Sequence, residues 1–344
     1  MTQTNPSNPT NQSKQLLEAV CRRGVLCNVR VRYWRGFKKL NAEDLGLEPG
    51  DVDARLIRLG HKRLVPKEAL APFALIESRA HAQVEQASFP FLGGIARFVP
   101  NPRLEGLTQS LDRMQGEFRE AVERFVAGYS ELRSSALDEW REASRHLNGD
   151  AEHLLAAIEQ AFPSAGDITR KFGFETRLFQ VAAPDSLRAE ITDGAEQLEV
   201  AQAREQVAHE AAARLRSDLD GFIQESVTAL RHEAGKLAGE VLATLDQSSV
   251  IVHQRTLDKM TGFIDRFRSL NFAGDAELEK TLEDFREQLL TRSADEYRND
   301  RNAMGHLTRG LEQLRETAVE LAGADARDIS ARFGALGRRK LAVA

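Results

Sequence analysis

The chain has few of the residues from which disulfide scaffolds and membrane spans are built. Its 344 residues include only two cysteines, Cys21 and Cys27, with five residues between them. That spacing matches neither a CxxC redox pair nor half of a zinc site, so we expect ordinary buried residues. No apolar run approaches the ~18 residues of a membrane span, and residues 1–13 lack the apolar core of a signal peptide. We therefore expect a cytoplasmic protein without a membrane partner, with residues 1–13 forming a disordered tail.

The common motifs of phosphate, nucleotide and metal chemistry are also missing. The sequence contains no GxxxxGKS or GxxxxGKT, no GxGxxG, no GxSxG and no HExxH motif. DQSSV, which begins at Asp246, lacks the second serine of the DxSxS segment that holds Mg²⁺ in von Willebrand A domains. Acidic residues are abundant, but on helices with heptad-like spacing they more often form a solvated face than an acid–base pair. We expect no catalytic residues, no metal site, no cofactor and no enzymatic activity.

Aromatic residues are scarce, at 6% of the chain, whereas charged residues make up 29%. This composition is typical of long exposed helices rather than of a compact enzyme. The net charge of −5 is unevenly distributed, because residues 1–100 contain 15 basic and 9 acidic residues, which leaves −11 for residues 101–344. The sequence thus predicts a basic head followed by an acidic body.

The head, residues 14–100, is predicted to be a small α+β region. Helical spacing up to Gly24 is followed over residues 29–34 by the alternation that is typical of a strand. Residues 22–40 contain seven basic residues and no acidic one, interleaved with Tyr33, Trp34 and Phe37. Such a segment is able to hold phosphates and stack on bases. The alternative, which we favour, is a basic strand whose arginines pair with acidic helices.

Three short segments share one pattern: glycine, any residue, two basic residues and leucine. They are GFKKL from Gly36, GHKRL from Gly60 and GRRKL from Gly337. Matches of five residues arise often by chance in an arginine-rich chain, so the pattern alone does not establish a repeat.

The rest of the chain is predicted to be organised around SFPFLGGIARFVPNP, residues 88–102. Pro90 and Pro100 exclude helix, and Gly93 and Gly94 supply backbone freedom, so we expect a loop or an irregular ribbon. Because burying a large apolar side chain contributes roughly 1.5–3 kcal/mol, we expect the apolar residues here to be packed: Phe89, Phe91, Ile95, Phe98 and Val99. We favour a structural wedge. The alternative is a binding loop with Arg97 as its polar contact.

The body, residues 101–323, is predicted to be almost entirely helical. Asn101-Pro102 is a helix start signal, and apolar residues then recur every three or four positions as far as Trp140. We expect one continuous helix here, about 55 Å long, closed by residues 148–150.

We call such a series of regularly spaced apolar residues an apolar seam. A second seam, over residues 215–245, predicts another long helix. Further helices are expected over residues 151–162 and 252–270, and a last continuous one from Gly274 to about Leu321. Only residues 171–184 of the body are strand-like. The basic tail, residues 324–344, is expected to be a docking strand or peptide, or a frayed end.

The predicted fold class is therefore mainly α: an elongated helical bundle or coiled-coil arms with a small basic α+β head. The seams do not decide whether a helix packs on its own chain or on a second copy. A homo-oligomer through the helical seams therefore stays open.

Four segments resemble a known family: VRVRYWRGFKKLNAEDLGL, LGHKRLVPKEAL, SFPFLGGIARFVP and the terminal FGALGRRKL. They resemble an uncharacterised bacterial and phage family, domain of unknown function 3150, over most of the chain. The resemblance implies that the protein works together with MoxR-type AAA+ ATPases and von Willebrand A-domain proteins, which neighbouring genes encode. It implies no activity.

We favour the hypothesis of a non-enzymatic scaffold or adaptor that binds an AAA+ ATPase or a von Willebrand A-domain protein. The expected partner surface comprises basic residues and one tryptophan: Trp34, Arg35, Lys38, Lys39, Lys62, Arg63 and Arg97. The alternative is a nucleic-acid-binding protein of a phage or mobile element that acts through the basic head. An enzyme without recognisable motifs is the least favoured hypothesis.

Overall fold

The structure is a computed structural model that describes residues 9–41, 60–145, 151–180, 196–247, 252–324 and 326–339. The helices of this part are α1 (Pro9–Arg23), α2 (Ala71–Gln86), α3 (Asn101–Ala127), α4 (Tyr129–Ser144), α5 (Ala151–Ala161), α6 (Ala165–Ile168), α7 (Glu196–Gln247), α8 (Gln254–Leu270), α9 (Ala276–Leu289), α10 (Ala294–Asn299), α11 (Arg301–Gly323) and α12 (Arg327–Arg339). The strands are β1 (Gly24–Arg32), β2 (Phe37–Lys39), β3 (His61–Arg63), β4 (Phe89–Phe91), β5 (Ala96–Pro100) and β6 (Gly173–Phe179). The expectation of a mainly helical chain is confirmed.

The contacts divide the chain into two compact units that alternate along the sequence. The first unit comprises Met1–Cys27, Ala87–Glu105 and Leu178–Ala344, and the second comprises Asn28–Gln86 and Gly106–Arg177. This division differs from the expected head and body, because β1, α3 and β6 each contribute residues to both units. A boundary placed in the sequence at residue 100 therefore does not separate them.

Residues 89–100 form a regular β-hairpin in the first unit, so the expected irregular loop is wrong. Phe89 stands opposite Phe98 and Phe91 opposite Ala96, and β5 in turn pairs antiparallel with β1. Pro90 is accommodated because β4 has a neighbour on one side only, and a proline at a sheet edge does not interrupt a second ladder. Gly93 and Gly94 have φ angles of +68° and +84° in the turn, which few residues other than glycine adopt.

The hairpin carries an aromatic cluster into the core of the first unit. The ring of Phe98 lies 4.8 Å from that of Phe272 and 5.3 Å from that of Phe222, and Phe91 lies 5.0 Å from Phe222. Phe89 and Val99 are also buried, as expected. The exception is Ile95, whose side chain is 79% exposed because it lies in the turn.

Gly24, the first residue of β1, allows a very close approach of the backbones of β1 and β5. A Cβ at this position would lie 2.3 Å from the carbonyl oxygen of Val99 and 2.6 Å from Cζ of Phe98. Real Cβ atoms essentially never come that close, so only glycine fits opposite Pro100 in the β1–β5 register. Cys27, three residues later and opposite Arg97 in the same register, is a free buried thiol whose pKa is raised by burial.

The helical part of the first unit includes α1 and α7 to α12, with α7 packed on α1, α11 and α12. A buried ion pair crosses this core. Arg231 of α7 and Asp275, the N-cap of α9, are 4% and 2% exposed. The Nε of Arg231 donates to Oδ2 of Asp275 at 2.6 Å, and its Nη1 donates to the carbonyl oxygen of Leu321 at 2.6 Å. One side chain thus connects three helices.

Three expectations about helix ends in the first unit are wrong. The helix α1 begins at Pro9, so residues 9–13 are not a disordered tail. The expected continuous helix from Gly274 is divided into α9, α10 and α11, because Ser293 and Asp300 each cap a new helix. Residues 327–339 form α12, with Phe333 buried, instead of a docking strand or frayed end. The remaining residues of the two expected tails, 1–8, 325 and 340–344, lie outside the described residues.

The second unit is built on a larger aromatic cluster. The ring of Phe73 in α2 lies 4.8 Å from Phe172, 5.5 Å from Phe118 and 5.7 Å from Tyr33. Phe172 and Phe174 flank the start of β6, which confirms the strand-like segment up to Phe179. Residues 181–184 lie outside the described part.

The long helix expected from Asn101 to Trp140 is interrupted at Gly128, which separates α3 from α4. Glycine is the weakest helix former after proline, which explains the position of the break. The next residue, Tyr129, is buried, and its hydroxyl donates to the carbonyl oxygen of Pro163 at 2.8 Å. Burial raises the pKa of Tyr129 to about 12, against the lowering effect of Arg133. The expected closure at residues 148–150 lies outside the described residues.

We predict that Phe91→Ala lowers the free energy of unfolding by about 3–5 kcal/mol, because it empties a buried phenylalanine site. The matched control is Ile95→Ala in the exposed turn of the same hairpin, for which we expect a change within about 0.5 kcal/mol. Urea unfolding followed by circular dichroism measures both. Equal losses for the two variants would contradict the role of the phenylalanine as a core residue.

We further predict that Arg231→Met lowers the free energy of unfolding by about 3–5 kcal/mol, because it leaves the buried carboxylate of Asp275 unpaired. Adding Asp275→Asn removes that charge and retains an N-cap acceptor, so the double variant should be more stable than the single one. The same urea titration compares them. A double variant less stable than Arg231→Met would show that the ion pair does not determine this loss.

Candidate functional site: the basic ribbon

The two strands β2 and β3 form an antiparallel pair in the second unit, which we name the basic ribbon. Phe37 stands opposite Arg63, Lys38 opposite Lys62 and Lys39 opposite His61. The ribbon joins two of the three segments that share the pattern of glycine, any residue, two basic residues and leucine. The glycine of each segment accepts a hydrogen bond from the leucine of the other: Leu64 N donates to Gly36 O at 2.7 Å and Leu40 N to Gly60 O at 3.0 Å.

Gly36 is required at its place by both conformation and space. Its φ angle is +65°, in the left-handed region, and a Cβ would lie 2.7 Å from Cδ1 of Leu70 and 2.8 Å from Cγ2 of Val65. The glycine therefore sets how closely β2 approaches the segment that follows β3. The shared sequence pattern thus reflects the pairing of two segments.

One face of the ribbon combines aromatic and basic side chains. Alternation along paired strands places Phe37, Lys39, His61 and Arg63 on the same face. All four residues are exposed, and Phe37 is 48% exposed. Its ring lies edge-on to that of His61 with the centroids 5.0 Å apart. Lysine and arginine carry positive charge at neutral pH, so this face presents two cations beside an aromatic pair.

The two central lysines lie on the opposite face and differ from each other. Lys38 is exposed, whereas Lys62 is only 6% exposed. The expected partner surface is therefore reduced at this position, because a buried ammonium is not available to a partner. Lys38, Lys39 and Arg63 are the expected residues that the ribbon keeps exposed and brings together.

Trp34 and Arg35 are held by contacts within the second unit. Trp34 is 8% exposed, and its ring lies 6.0 Å from Tyr129, 6.0 Å from Phe162 and 6.3 Å from Phe125. Its burial makes it a core residue rather than a surface contact, since the alternation that placed it outward ends with β1 at Arg32.

Arg35 forms a bidentate ion pair with a carboxylate of α2. Its Nη2 donates to Oε1 of Glu77 at 2.8 Å, its Nη1 donates to Oε2 at 3.1 Å, and the guanidinium lies 4.0 Å from the centre of the Tyr33 ring. The hydrogen bond with Glu77 is the main cause of the raised pKa of Arg35. Arg35 lies between β1 and β2, and α2 lies within residues 14–100, so this ion pair joins two parts of the expected head.

Arg97 lies in the first unit and bridges its own hairpin. Its Nε donates to Oγ of Ser88 at 3.0 Å, and its Nη2 donates to the carbonyl oxygen of the same serine at 3.4 Å. Phe89, Phe91 and Phe98 of the same hairpin are buried. The hairpin therefore has the geometry of a structural wedge, which does not test whether it also binds a partner.

Sequence reasoning missed two contributors to the ribbon, His61 and Trp140. The indole Nε1 of Trp140 in α4 donates to the carbonyl oxygen of Arg63 at 2.9 Å and so attaches β3 to that helix. The shared glycine-to-leucine pattern was the available signal for His61, because it marked the two strands as equivalent. No comparable local signal exists for Trp140, which is separated from Arg63 by 77 positions.

Searches of the described residues add two findings. Within these ranges no group of three or more histidine, cysteine, aspartate or glutamate residues is placed to hold a metal ion. Of the helices that are described, none has the length and apolar character needed to cross a membrane.

Comparison with known proteins identifies a family. No curated protein and no solved structure matches the chain. A family model described as protein of unknown function (DUF3150) matches residues 22–289, which is more than half of the chain. The match includes both strands of the basic ribbon and the whole β4–β5 hairpin, and it agrees with the resemblance found in the sequence. The chain therefore belongs to the DUF3150 family of proteins of unknown function.

Proposed function

We propose that the protein is a non-enzymatic scaffold or adaptor that binds an acidic surface of a protein partner through the basic ribbon. The observation that carries the proposal is the exposure of Lys38, Lys39 and Arg63 on one two-stranded ribbon with an exposed phenylalanine beside them. Complementary charge speeds encounter and selects the partner, and an aromatic side chain supplies apolar contact area.

The helices are the scaffold in this proposal. The helix α7 alone has 52 residues, or about 78 Å at 1.5 Å per residue. We propose that α7 and α11, which pack on each other in the first unit, act as a coiled-coil arm of this scaffold.

The partner classes come from the family resemblance. We propose a MoxR-type AAA+ ATPase or a von Willebrand A-domain protein, with the complex located in the cytoplasm. DQSSV at Asp246 lacks the second serine of the DxSxS segment that holds Mg²⁺ in von Willebrand A domains, so the proposal assigns such chemistry to the partner.

We predict that Lys38→Glu with Lys39→Glu abolishes capture of the co-expressed ATPase or von Willebrand A-domain protein, with little change in the melting temperature. Both lysines are exposed, and surface substitutions usually change stability by no more than about 0.5 kcal/mol. The control is Lys171→Glu with Lys280→Glu, two exposed lysines outside the ribbon, which changes the net charge equally. Full capture by the ribbon variant would remove the ribbon from the proposed function.

The edge-on contact of Phe37 with His61, flanked by Lys39 and Arg63, favours a second candidate function, single-stranded nucleic-acid binding. Aromatic rings stack on bases while lysine and arginine contact phosphates. In that case the protein would act as a nucleic-acid-binding component of a phage or mobile element.

We predict for this second function that affinity for a labelled single-stranded oligonucleotide falls steeply between 50 and 200 mM salt, because bound phosphates release counterions. Phe37→Ala should weaken binding at every salt concentration without changing the slope, whereas Lys39→Ala should reduce the slope. Fluorescence anisotropy measures both effects. The absence of binding at the lowest salt concentration would eliminate this function and leave the adaptor.

A further inference from the structure

An open groove of about 340 Å³ adjoins the basic ribbon in the second unit. Residues 63–66, which continue from β3, line one side, and Ala136, Glu139, Trp140 and Ala143 of α4 line the other. This volume is at the lower end of the range of about 300–1,000 Å³ for pockets that hold small ligands. The groove is therefore large enough to hold one large side chain.

The floor of the groove is apolar and its wall is aromatic. Leu64, Val65 and Ala136 are buried, and Trp140 is half-buried beside them. The hydrogen bond from Nε1 of Trp140 to the carbonyl oxygen of Arg63 fixes the orientation of the indole. A fixed aromatic wall next to an apolar floor is the environment in which the strongest contacts of protein interfaces occur.

The groove and the ribbon share Arg63, so that one bound chain could contact both. On the face of the ribbon that carries Arg63, the exposed cations are Lys39 and Arg63, and the groove itself contains one acidic residue, Glu139. Charge complementarity therefore requires acidic residues in the part of the partner that lies over the ribbon. The apolar floor requires one large apolar residue next to them.

We propose that this groove binds the aromatic anchor of an acidic peptide segment in the protein partner. The proposal rests on the proposed adaptor function, and it adds the chemistry of the segment recognised. The carboxylates of the segment lie along Lys39 and Arg63, which share one face of the ribbon, and its aromatic side chain enters the groove against Trp140.

The test uses the full chain and two fluorescein-labelled synthetic peptides. One has a central tryptophan flanked on both sides by glutamates, and the other has alanine in place of the tryptophan. We expect the tryptophan peptide to bind at least about tenfold more tightly, which corresponds to ~1.4 kcal/mol. Fluorescence anisotropy at low salt measures both dissociation constants.

A variant that fills the groove isolates its contribution. Ala143 is exposed at the edge of the groove, so Ala143→Trp occupies the space without entering the core. We expect this variant to bind the tryptophan peptide no more tightly than the alanine peptide. The matched control is Ala82→Trp on the exposed side of α2, outside the groove lining, which should leave both affinities unchanged. Melting temperatures confirm that both variants are folded.

The possible outcomes distinguish failure of the groove proposal from failure of the proposed adaptor function. Equal binding of the two peptides, with both weakened by Lys38→Glu and Lys39→Glu, would overturn the groove proposal and retain the ribbon as an acidic-partner site. Unchanged discrimination in Ala143→Trp would also overturn it. If neither peptide binds, the groove proposal is wrong, and the adaptor function is then decided by the capture experiment with the lysine variants. Binding of single-stranded DNA, without any binding of either acidic peptide, would overturn the groove proposal in favour of the nucleic-acid function.

Discussion

The first unit depends on the burial of Phe98 between two other phenylalanines. Phe222 belongs to α7 and Phe272 to the connection between α8 and α9, and both rings lie within 5.3 Å of the ring of Phe98. A strand residue is thus the contact that joins the hairpin to the helices. Aromatic side chains bury the largest apolar areas. Because the chain has few of them, each of these contacts contributes a larger share of the stability of the unit.

The same constraint explains why the hairpin is regular. Pairing with β1 satisfies the backbone groups of β5 on one side, and pairing with β4 satisfies them on the other. An irregular loop carrying three buried phenylalanines would leave buried backbone groups without partners. The ladder therefore allows the hairpin to be packed, and Gly24 allows β5 to approach β1 closely enough for this ladder to form.

The basic ribbon shows how a surface can be constructed on a small number of fixed contacts. Its two strands have three residues each, and a two-stranded pair is only marginally stable by itself. Gly36, packed against Val65 and Leu70, and Trp140, bonded to Arg63, attach both strands to the second unit. Fixed strands hold the exposed cations in one arrangement, which lowers the entropy lost when a partner binds.

Local patterns in the sequence determined most of the helices, the strand at residues 173–179 and the burial of Phe89, Phe91 and Phe98, because periodicity and local composition act over a few residues. The breaks at Gly128, Ser293 and Asp300 carried local signals too, but the long apolar seams were given more weight. Only the tertiary structure decided that Trp34 and Lys62 are buried, that Arg35 pairs with Glu77, and that GFKKL and GHKRL pair with each other. Each of these outcomes depends on residues at least 20 positions apart, and a local pattern contains no information about which distant segment will cover a side chain.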